Sequence, residues 1–322
     1  MGKNTNKLTT KLKYYCNELE DVKELSQTTV KNYYESSKLF IQWLEDNNIK
    51  KLDDPIKYLK KYSIYLKRNR NINKNSRKTY LTQIIQFLKY LKLNLDENEL
   101  KELMPKVNGN AEPKYLDIDE VKEIMKTIPE KEYRDRAIIQ TLYRTGLRVS
   151  ELANLKKDDL DLESKEEVTA LKVIAGKGDK NRTVYLDKDT LNLINMMIYK
   201  RQRKNNKDIS EYLFQSKQRK KKRKEDRPLT TRSIETMIKK YAIATDERLA
   251  KEEIKNTNFQ EKLTPHVLRH SYAIYLLNTA KRPINEVQKL LGHSNIATTG
   301  IYSKVKDEVL KNGYAKVKWN NE

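Results

Sequence analysis

Apolar side chains recur at the spacing of α-helices through most of this chain, and the periodicity predicts a mainly helical fold. One series near the start is Val30, Tyr33, Phe40, Trp43 and Leu44. Further helices are predicted at about residues 55–67, with Pro55 in the first turn, and after Ser76, which we expect to be the N-cap. Residues 1–107 are therefore predicted to form one helical domain.

One stretch of the remaining sequence has β-character. Residues 168–174 and 182–186 are β-prone, and the segment between them, Ala175-Gly-Lys-Gly-Asp-Lys-Asn181, has the glycines of a hairpin turn. Residues 108–114 combine Gly, Pro and polar residues without periodicity, which indicates a linker. The expected order is thus a helical domain at 1–107, a linker at 108–114, a mixed α/β domain with a small sheet at 115–306, and a C-terminal tail at 307–322.

The charge of the chain is strongly positive, with 67 Lys and Arg residues against 45 Asp and Glu residues. Both predicted domains share the excess, which suits a protein that encloses a polyanion such as a nucleic acid. A lysine-rich surface caused by biased codon usage explains the charge equally well. Cys16 is the single cysteine, so neither a disulfide framework nor a cysteine-based zinc site is expected. No membrane span or signal peptide is evident, and the expected location is the cytoplasm.

Two basic segments are candidates for contact with phosphates. Residues 70–78 precede a predicted helix, and Lys74, Arg77 and Lys78 are placed to contact phosphates at its N-terminus. An ordinary solvated turn explains the same residues equally well. The run at 217–227 is denser in charge and predicts either a solvated loop or non-specific, salt-sensitive phosphate affinity.

Glycine is scarce, with eight residues in all, and five of them lie beside clusters of polar side chains. These five are Gly146, Gly176, Gly178, Gly292 and Gly300. Gly146 follows an apolar helix and is expected to end it in a left-handed conformation. Arg148 then lies at a junction between two helices. Considered alone, an ion pair with Glu151 or Asp135 explains Arg148 better than a catalytic role.

The histidines are clustered, since all three lie between positions 266 and 293. Thr264 and Pro265 predict a helix N-cap and first helical position. His266 and Arg269 then share one helix face, and His270 follows one step further round. This combination of imidazole and guanidinium groups is suited to proton transfer beside a phosphate.

A zinc site at the first two histidines is not expected. Val267 stands where an HExxH motif has glutamate, and the Arg269 cation would repel a metal ion. The third histidine, His293, follows Gly292, which is predicted to end another helix. Tyr302 comes nine residues later, and on spacing alone a place in the core explains it better than a catalytic role.

Five of these segments occur in a fixed order along the chain. They are Thr145-Gly-Leu-Arg148-Val-Ser-Glu-Leu152, Gly176-Lys177-Gly-Asp-Lys180, His266-Val-Leu-Arg269-His270, Leu291-Gly-His293 and Thr298-Thr-Gly-Ile-Tyr302. Together they resemble the catalytic signature of the tyrosine recombinases, closest to Xer-like proteins and to phage or transposon integrases. The resemblance covers about residues 115–305, and the helical N-terminal part is similar in layout to the core-binding domain of that family.

The resemblance implies a reaction on DNA. Tyr302 would attack a phosphodiester and become linked to the 3′ phosphate, while Arg148 and Arg269 would hold the non-bridging oxygens. Two guanidinium groups suit a dianionic transition state. Because the covalent intermediate stores the bond energy, no metal ion, ATP or other cofactor is expected.

The same resemblance gives roles to five further residues. Lys177 would protonate the leaving 5′ oxygen, His266 would assist proton transfer, and His293 would form a hydrogen bond with the phosphate. Glu151 and His270 would support these groups from neighbouring positions.

The implied protein is a two-domain DNA clamp with a helical core-binding domain and a mixed α/β catalytic domain. It would bind double-stranded DNA as a homotetramer on two recombination sites, for integration, excision or dimer resolution. Without DNA, a monomer or dimer is expected. The tail at 307–322 would contact a neighbouring protomer, and the protein would act in the cytoplasm at the nucleoid, with no membrane association.

Two features depart from the family pattern. Gly300 stands where a polar residue is usual, and residues 203–262 are longer and more charged than in a minimal Xer catalytic domain. A type IB topoisomerase or a telomere resolvase shares this chemistry and would differ in its product. A DNA-binding protein without activity is the alternative outside enzymes, and the intact set of catalytic residue types argues against it.

Overall fold

The chain divides into two compact units, Met1–Ala111 and Glu112–Glu322, called here the N-terminal unit and the C-terminal unit. The computed structural model describes residues 3–106, 114–174, 181–205, 210–215, 227–254 and 257–292. The predicted linker at 108–114 lies almost entirely outside these residues, as do the tail at 307–322 and nearly all of the basic run at 217–227. The roles predicted for the domains stay predictions.

The described part of the N-terminal unit consists of five α-helices. They are α1 (Lys3–Asp21), α2 (Gln27–Asp46), α3 (Pro55–Arg68), α4 (Lys74–Tyr90) and α5 (Glu97–Leu103). α3 begins at Pro55, as predicted. α4 begins before the predicted N-cap Ser76, because Asn73 takes that place instead. The Asn73 side-chain oxygen accepts a hydrogen bond from the backbone N–H of Ser76 at 2.9 Å.

Aromatic side chains form the centre of the N-terminal unit. Phe40 and Trp43 of α2 stack with their ring centroids 6.1 Å apart, and Tyr62 of α3 lies 5.1 Å from Phe40. Leu81, Ile84 and Leu88 of α4 belong to the same buried cluster. The helical spacing predicted from the apolar residues of this region is therefore confirmed, and its apolar face packs inward.

The C-terminal unit is helical apart from one small sheet. Its described elements are α6 (Ile118–Thr127), α7 (Tyr133–Thr145), α8 (Val149–Ala153), β1 (Val168–Val173), β2 (Arg182–Asp187), α9 (Lys188–Asn205), α10 (Thr231–Lys251), α11 (Phe259–Lys262), α12 (Pro265–Ile274) and α13 (Ile284–Leu291). α12 continues into a π-helical turn, Tyr275–Thr279. The predicted fold class, mainly α with a small β-sheet, is confirmed.

The two strands pair antiparallel, with Val168 opposite Asp187 and Val173 opposite Arg182. Alternate residues of each strand are buried, so one face of the sheet packs on the core of the unit. The predicted pair of strands is confirmed. The turn that joins them, residues 175–180, lies outside the described residues.

α7 is fixed to α10 through a buried carboxylate. Asp135 is 3% exposed, accepts a hydrogen bond from the Tyr241 hydroxyl at 2.9 Å, and accepts a second from Nε of Arg134 at 2.9 Å. A buried carboxylate with these partners leaves no unpaired charge in the core. α7 can therefore serve as a rigid support for the turn at its C-terminal end.

α12 begins as its sequence predicts. The Thr264 side chain accepts a hydrogen bond from the Val267 N–H at 3.1 Å, and Pro265 occupies the first helical position. Ser271, on the buried face, accepts a hydrogen bond from the backbone N–H of Leu116 at 2.8 Å. In the described part of the chain, no helix is long and apolar enough to span a bilayer.

Candidate active site

The turn between α7 and α8 places Arg148. Gly146 ends α7 with φ +63°, in the left-handed conformation that the sequence predicts. Arg148 is then the N-cap residue of α8, and its backbone N–H donates to Oε2 of Glu151 at 2.7 Å. Its Nη1 donates to Oε1 of the same carboxylate at 3.0 Å. The ion pair expected with Glu151 is therefore present, whereas Asp135 pairs with Arg134 instead.

Arg269 reaches the same turn from α12. Its side chain is buried, with 3% of the residue exposed, and both ends of the guanidinium find backbone acceptors. Nη1 donates to the Gly146 carbonyl at 2.6 Å, and Nη2 donates to the Leu291 carbonyl at 2.6 Å. A buried cation needs such partners, and these tie α12 to the end of α7 and to the end of α13.

Three arginines donate hydrogen bonds to the C-terminal end of α13. Arg182 donates from Nε to the Leu290 carbonyl at 2.8 Å, Arg269 donates to the Leu291 carbonyl at 2.6 Å, and Arg148 donates from Nη2 to the Gly292 carbonyl at 3.2 Å. The last carbonyls of a helix have no partner within the helix and form the negative end of its dipole. These three residues, called the arginine cluster, satisfy three successive oxygens.

Glu151 links two members of the arginine cluster. Arg182 donates from Nη1 to Oε1 at 2.7 Å and from Nη2 to Oε2 at 2.8 Å, and both side chains are only 7% exposed. Burial alone would raise the pKa of Glu151, but the hydrogen bonds from Arg182 and from the Arg148 backbone outweigh it and lower the pKa. The carboxylate is therefore ionised at neutral pH.

Close packing crowds the space beside two glycines, more tightly at Gly146 than at Gly292. A Cβ on Gly146 would lie 2.5 Å from Cδ1 of Tyr272 and 2.9 Å from Cδ2 of Leu291. Gly292, at φ +67°, ends α13 as predicted, and a Cβ there would lie 3.0 Å from Nη1 of Arg182. Glycine at both positions allows α12, α13 and β2 to approach the turn after α7.

The two described histidines are neighbours on α12. Their ring centroids are 4.6 Å apart, with the planes at 70°. Desolvation, followed by the positive charges of Arg269 and Arg148, lowers the pKa of His266. Burial, together with His266 and Arg269, lowers the pKa of His270 to about 4. Both imidazoles are thus neutral at pH 7, and a neutral imidazole can accept a proton.

The sequence of residues 114–308 matches the model of the Phage integrase family. The chain belongs to this family. The tyrosine recombinase XerA of Thermococcus kodakarensis is 33% identical to this recombinase over 299 residues, which cover 92% of each chain. The tyrosine recombinase XerC of Leptospira interrogans is 32% identical over 312 residues, which cover 94% of this chain and 91% of the relative.

A solved structure supports the same fold. The XerH site-specific recombinase, bound to a palindromic difH substrate in a post-cleavage complex, matches with a TM-score of 0.67 at 20% identity. The match covers 96% of this chain and 84% of that chain. The family match and the relatives at 32–33% identity, rather than this structure, show that the chain is a tyrosine-type site-specific recombinase, an enzyme that cleaves and rejoins DNA strands through a tyrosine.

The structure of the recombinase brings together half of the residues predicted to be catalytic. Arg148, His266 and Arg269 lie close enough for the charges of both arginines to act on the imidazole. The other three predicted catalytic residues, Lys177, His293 and Tyr302, lie outside the described residues. Glu151 and His270 neighbour this group, as expected from the resemblance.

The predicted DNA contacts of the recombinase lie on α4 of the N-terminal unit. Lys74 and Lys78 are exposed, but Arg77 is only 9% exposed, and its Nε has no hydrogen-bond partner among the described residues. Helical geometry explains the difference, because Arg77 shares the inward face of α4 with Leu81, whereas the two lysines point outward.

Sequence reasoning missed Arg182. A signal for it was present, because strand residues that are two apart lie on one face of a sheet. Arg182 is in phase with the buried Val184 and Leu186 of β2. A charged residue on the inward face of a strand requires a buried partner, and here that partner is Glu151.

Proposed function

We propose that Tyr302 is the nucleophile of this recombinase and that Arg148 and Arg269 bind the scissile phosphate. The observation that carries the proposal is the convergence of both guanidinium groups on the carbonyls of Leu291 and Gly292. These carbonyls end α13, and the sequence that follows α13 directly contains Tyr302. The two arginines are therefore fixed beside Leu291 and Gly292, the last described residues before the segment that contains Tyr302.

The reaction forms one bond and breaks one bond. The Tyr302 oxygen attacks phosphorus, the bond from phosphorus to the 5′ oxygen breaks, and a 3′-phosphotyrosine results. Attack by a 5′ hydroxyl of another strand reverses these changes and rejoins the DNA. The transition state carries two negative charges, which Arg148 and Arg269 stabilise with planar, fixed donors.

Proton transfers complete each step. A tyrosine hydroxyl with a pKa near 10 is a weak nucleophile unless a base or a positive field assists it. His266 is neutral at pH 7 because its pKa is lowered, so it can take the proton from the Tyr302 hydroxyl. Lys177 gives a proton to the leaving 5′ oxygen, and His293 donates a hydrogen bond to the phosphate.

Glu151 and His270 orient the groups that contact the phosphate. Glu151 holds both the backbone and the side chain of Arg148. The ring of His270 lies edge-on against that of His266 and limits the orientations the His266 ring can adopt. The bond energy is kept in the phosphotyrosine, so the reaction needs no metal ion and no ATP.

DNA contacts outside the active site are proposed for Lys74 and Lys78. Both lie in the first turn and a half of α4, where the helix dipole and the exposed ammonium groups together favour a phosphate. Arg77 is proposed to support this turn from the inside, since its side chain is mostly buried. Binding through these lysines should weaken as salt concentration rises.

The assembly proposed for strand exchange is a homotetramer on two recombination sites, formed from monomers or dimers that are free of DNA. The tail at 307–322 is proposed to contact a neighbouring protomer. The protein is proposed to act in the cytoplasm, at the nucleoid.

Truncation after Lys306 tests the role of the tail. DNA binding should persist while tetramer assembly, measured by light scattering on paired sites, is lost. Recombination at the full rate by the truncated protein would contradict this role.

The nucleophile is tested with Tyr302→Phe. The probe is a nicked DNA duplex. Its sequence is found first, by isolating the genomic DNA fragments to which the wild-type protein becomes covalently attached. The phenylalanine variant should bind this duplex with unchanged affinity and form no covalent adduct, measured by denaturing gel electrophoresis. An adduct that persists, or that maps to a different tyrosine by mass spectrometry, would show that Tyr302 is not the nucleophile.

A further inference from the structure

Arg182 is the one member of the arginine cluster that lies outside the five motifs of the sequence. It begins β2, opposite Val173 of β1, and its side chain is 7% exposed. Three of its nitrogens have acceptors: Nη1 and Nη2 donate to the two oxygens of Glu151, and Nε donates to the Leu290 carbonyl. One side chain therefore joins the sheet, α8 and the end of α13.

The first consequence of these contacts concerns charge. Arg148, Arg182 and Arg269 carry three positive charges and Glu151 carries one negative charge, so the four side chains together have a net charge of two positive units. If Arg182 were neutral, one positive charge would remain, and Arg148 would be the guanidinium left to neutralise Glu151. Because the Arg182 and Glu151 side chains are each only 7% exposed, water screens this difference less than it would at the surface.

The second consequence concerns geometry. Glu151 binds Arg148 through one oxygen at 3.0 Å and Arg182 through both oxygens at 2.7 and 2.8 Å. The carboxylate is thus held more closely by Arg182 than by the Arg148 side chain, and its position fixes that of Arg148. Arg182 also packs against Gly292, where a Cβ would lie 3.0 Å from Nη1.

We propose that Arg182 is a positioning residue for the recombination reaction. It neutralises Glu151, so that the charge of Arg148 is directed at the scissile phosphate, and it fixes the end of α13 beside that phosphate. This inference rests on the proposed function, in which Arg148 binds the phosphate. Arg182 itself does not contact DNA in this account.

A set of four variants tests the role through charge. Arg182→Met removes the guanidinium and keeps the length of the side chain, and Arg182→Lys keeps a charge but cannot bind both carboxylate oxygens. Glu151→Gln removes the negative charge and retains an oxygen for the Arg148 N–H. The fourth variant combines Arg182→Met with Glu151→Gln, which restores two net positive charges.

The measurement is the single-turnover rate of covalent adduct formation on the nicked duplex described above, with saturating protein. Arg182→Met should lower the rate about 100-fold, the size of effect typical for loss of transition-state stabilisation, and change the DNA dissociation constant less than about threefold. Arg182→Lys should form the adduct at least about tenfold more slowly than the wild type. The combined variant should form the adduct at least about tenfold faster than Arg182→Met. A purely structural role of Arg182 would not produce this recovery.

A matched control separates this role from general destabilisation. Arg248 on α10 is also held by a carboxylate, Glu123 of α6, at 2.5 Å. Arg248→Met should lower the melting temperature and leave the rate of adduct formation unchanged in assays run well below that temperature. An unchanged rate for Arg248→Met would show that the loss of an arginine–carboxylate pair does not by itself slow cleavage.

Each outcome decides between the two levels of the proposal. Adduct formation at the wild-type rate by Arg148→Ala would contradict the proposed function. A slow Arg148→Ala together with a fast Arg182→Met would overturn only the positioning role. A combined variant no faster than Arg182→Met would also overturn it. If Arg182→Met does not fold, Arg182→Lys decides, and cleavage by that variant at the wild-type rate overturns the inference.

Discussion

Two ion pairs of this recombinase, one from each unit, differ in residue type and in exposure. In the N-terminal unit, Lys60 pairs with Glu99 at 2.8 Å, and the two side chains are 46% and 51% exposed. In the C-terminal unit, Arg182 pairs with Glu151 at 2.7 Å, and both side chains are 7% exposed. The distances are almost equal, so distance alone does not distinguish the two kinds of contact.

What differs is the surrounding solvent and the shape of the cation. Water and salt screen an exposed ammonium–carboxylate pair, and the flexible lysine side chain loses entropy when it is held. A buried guanidinium presents several donors in one plane, and removal of one partner leaves an unpaired charge in the interior, at a cost of about 3–5 kcal/mol. A buried arginine pair can therefore hold its guanidinium in one position, whereas an exposed lysine pair contributes little to stability.

The largest effect expected from this contrast is that of Arg269→Lys. A lysine cannot donate to the Gly146 and Leu291 carbonyls and still present a planar pair of donors to a phosphate. The rate of covalent adduct formation should fall by about 10²–10³ while DNA affinity changes little. If Arg269→Lys forms the adduct at a rate near that of the wild type, lysine can replace the buried arginine, and the distinction drawn here is wrong.

Gly146→Ala tests whether the arginine cluster depends on the turn that carries it. Alanine at φ +63° is strained, and its Cβ would lie 2.5 Å from the Tyr272 ring. The free energy of unfolding of the C-terminal unit should fall by roughly 2–4 kcal/mol. Urea denaturation measures this free energy, with Gly292→Ala as a control. Gly292→Ala should lower the free energy of unfolding less, because the Arg182 side chain can shift more easily than the packed Tyr272 ring. Equal losses would contradict this explanation.

The pH dependence of stability extends the contrast to His270, a half-buried histidine. The pKa of His270 is about 4 in the folded protein against an ordinary value of 6.5. As pH falls from 6.5 to 4, the unfolded chain binds the proton first, so stability is lost over this range and is complete above it. His270→Gln should flatten the dependence by on the order of 2 kcal/mol, less than the full pKa shift would give, because solvent screens a half-exposed group. Melting temperatures that run parallel in both proteins would exclude His270 as the cause.

Lys60→Ala should have the smallest effect, because the pair with Glu99 is exposed on both sides. Urea denaturation midpoints in low and in high sodium chloride should differ from those of the wild type by no more than the scatter of the measurement. A clear loss of stability that persists in high salt would show that exposure does not separate the two kinds of ion pair.

Local features of this chain could be predicted well from sequence. Gly146 and Gly292 end their helices in the left-handed conformation, and Thr264 with Pro265 starts α12, because each depends on a few adjacent residues. The start of α4 was misplaced for the same local reason. Asn73 and Ser76 are both good N-caps, and only the structure shows that Asn73 takes this role.

Long-range features were harder to predict. Arg182 contacts Glu151, 31 residues earlier, and Leu290, 108 residues later, and no spacing rule connects positions so far apart. The burial of Arg77 was missed because a basic residue at a helix start was assumed to face solvent. Motif order predicted that Arg148, His266 and Arg269 belong to one site, and the structure places them together; their catalytic roles stay predictions.

The end of α13 has a consequence for how this sequence can vary. The three arginines bind main-chain oxygens at positions 290–292, and every amino acid has such an oxygen. Mutational drift of the Leu290 side chain can therefore leave its contact with Arg182 intact, whereas no replacement within α13 can compensate for a lost arginine. We expect this asymmetry in a deep mutational scan, with tolerance at Leu290 and intolerance at the three distant arginines.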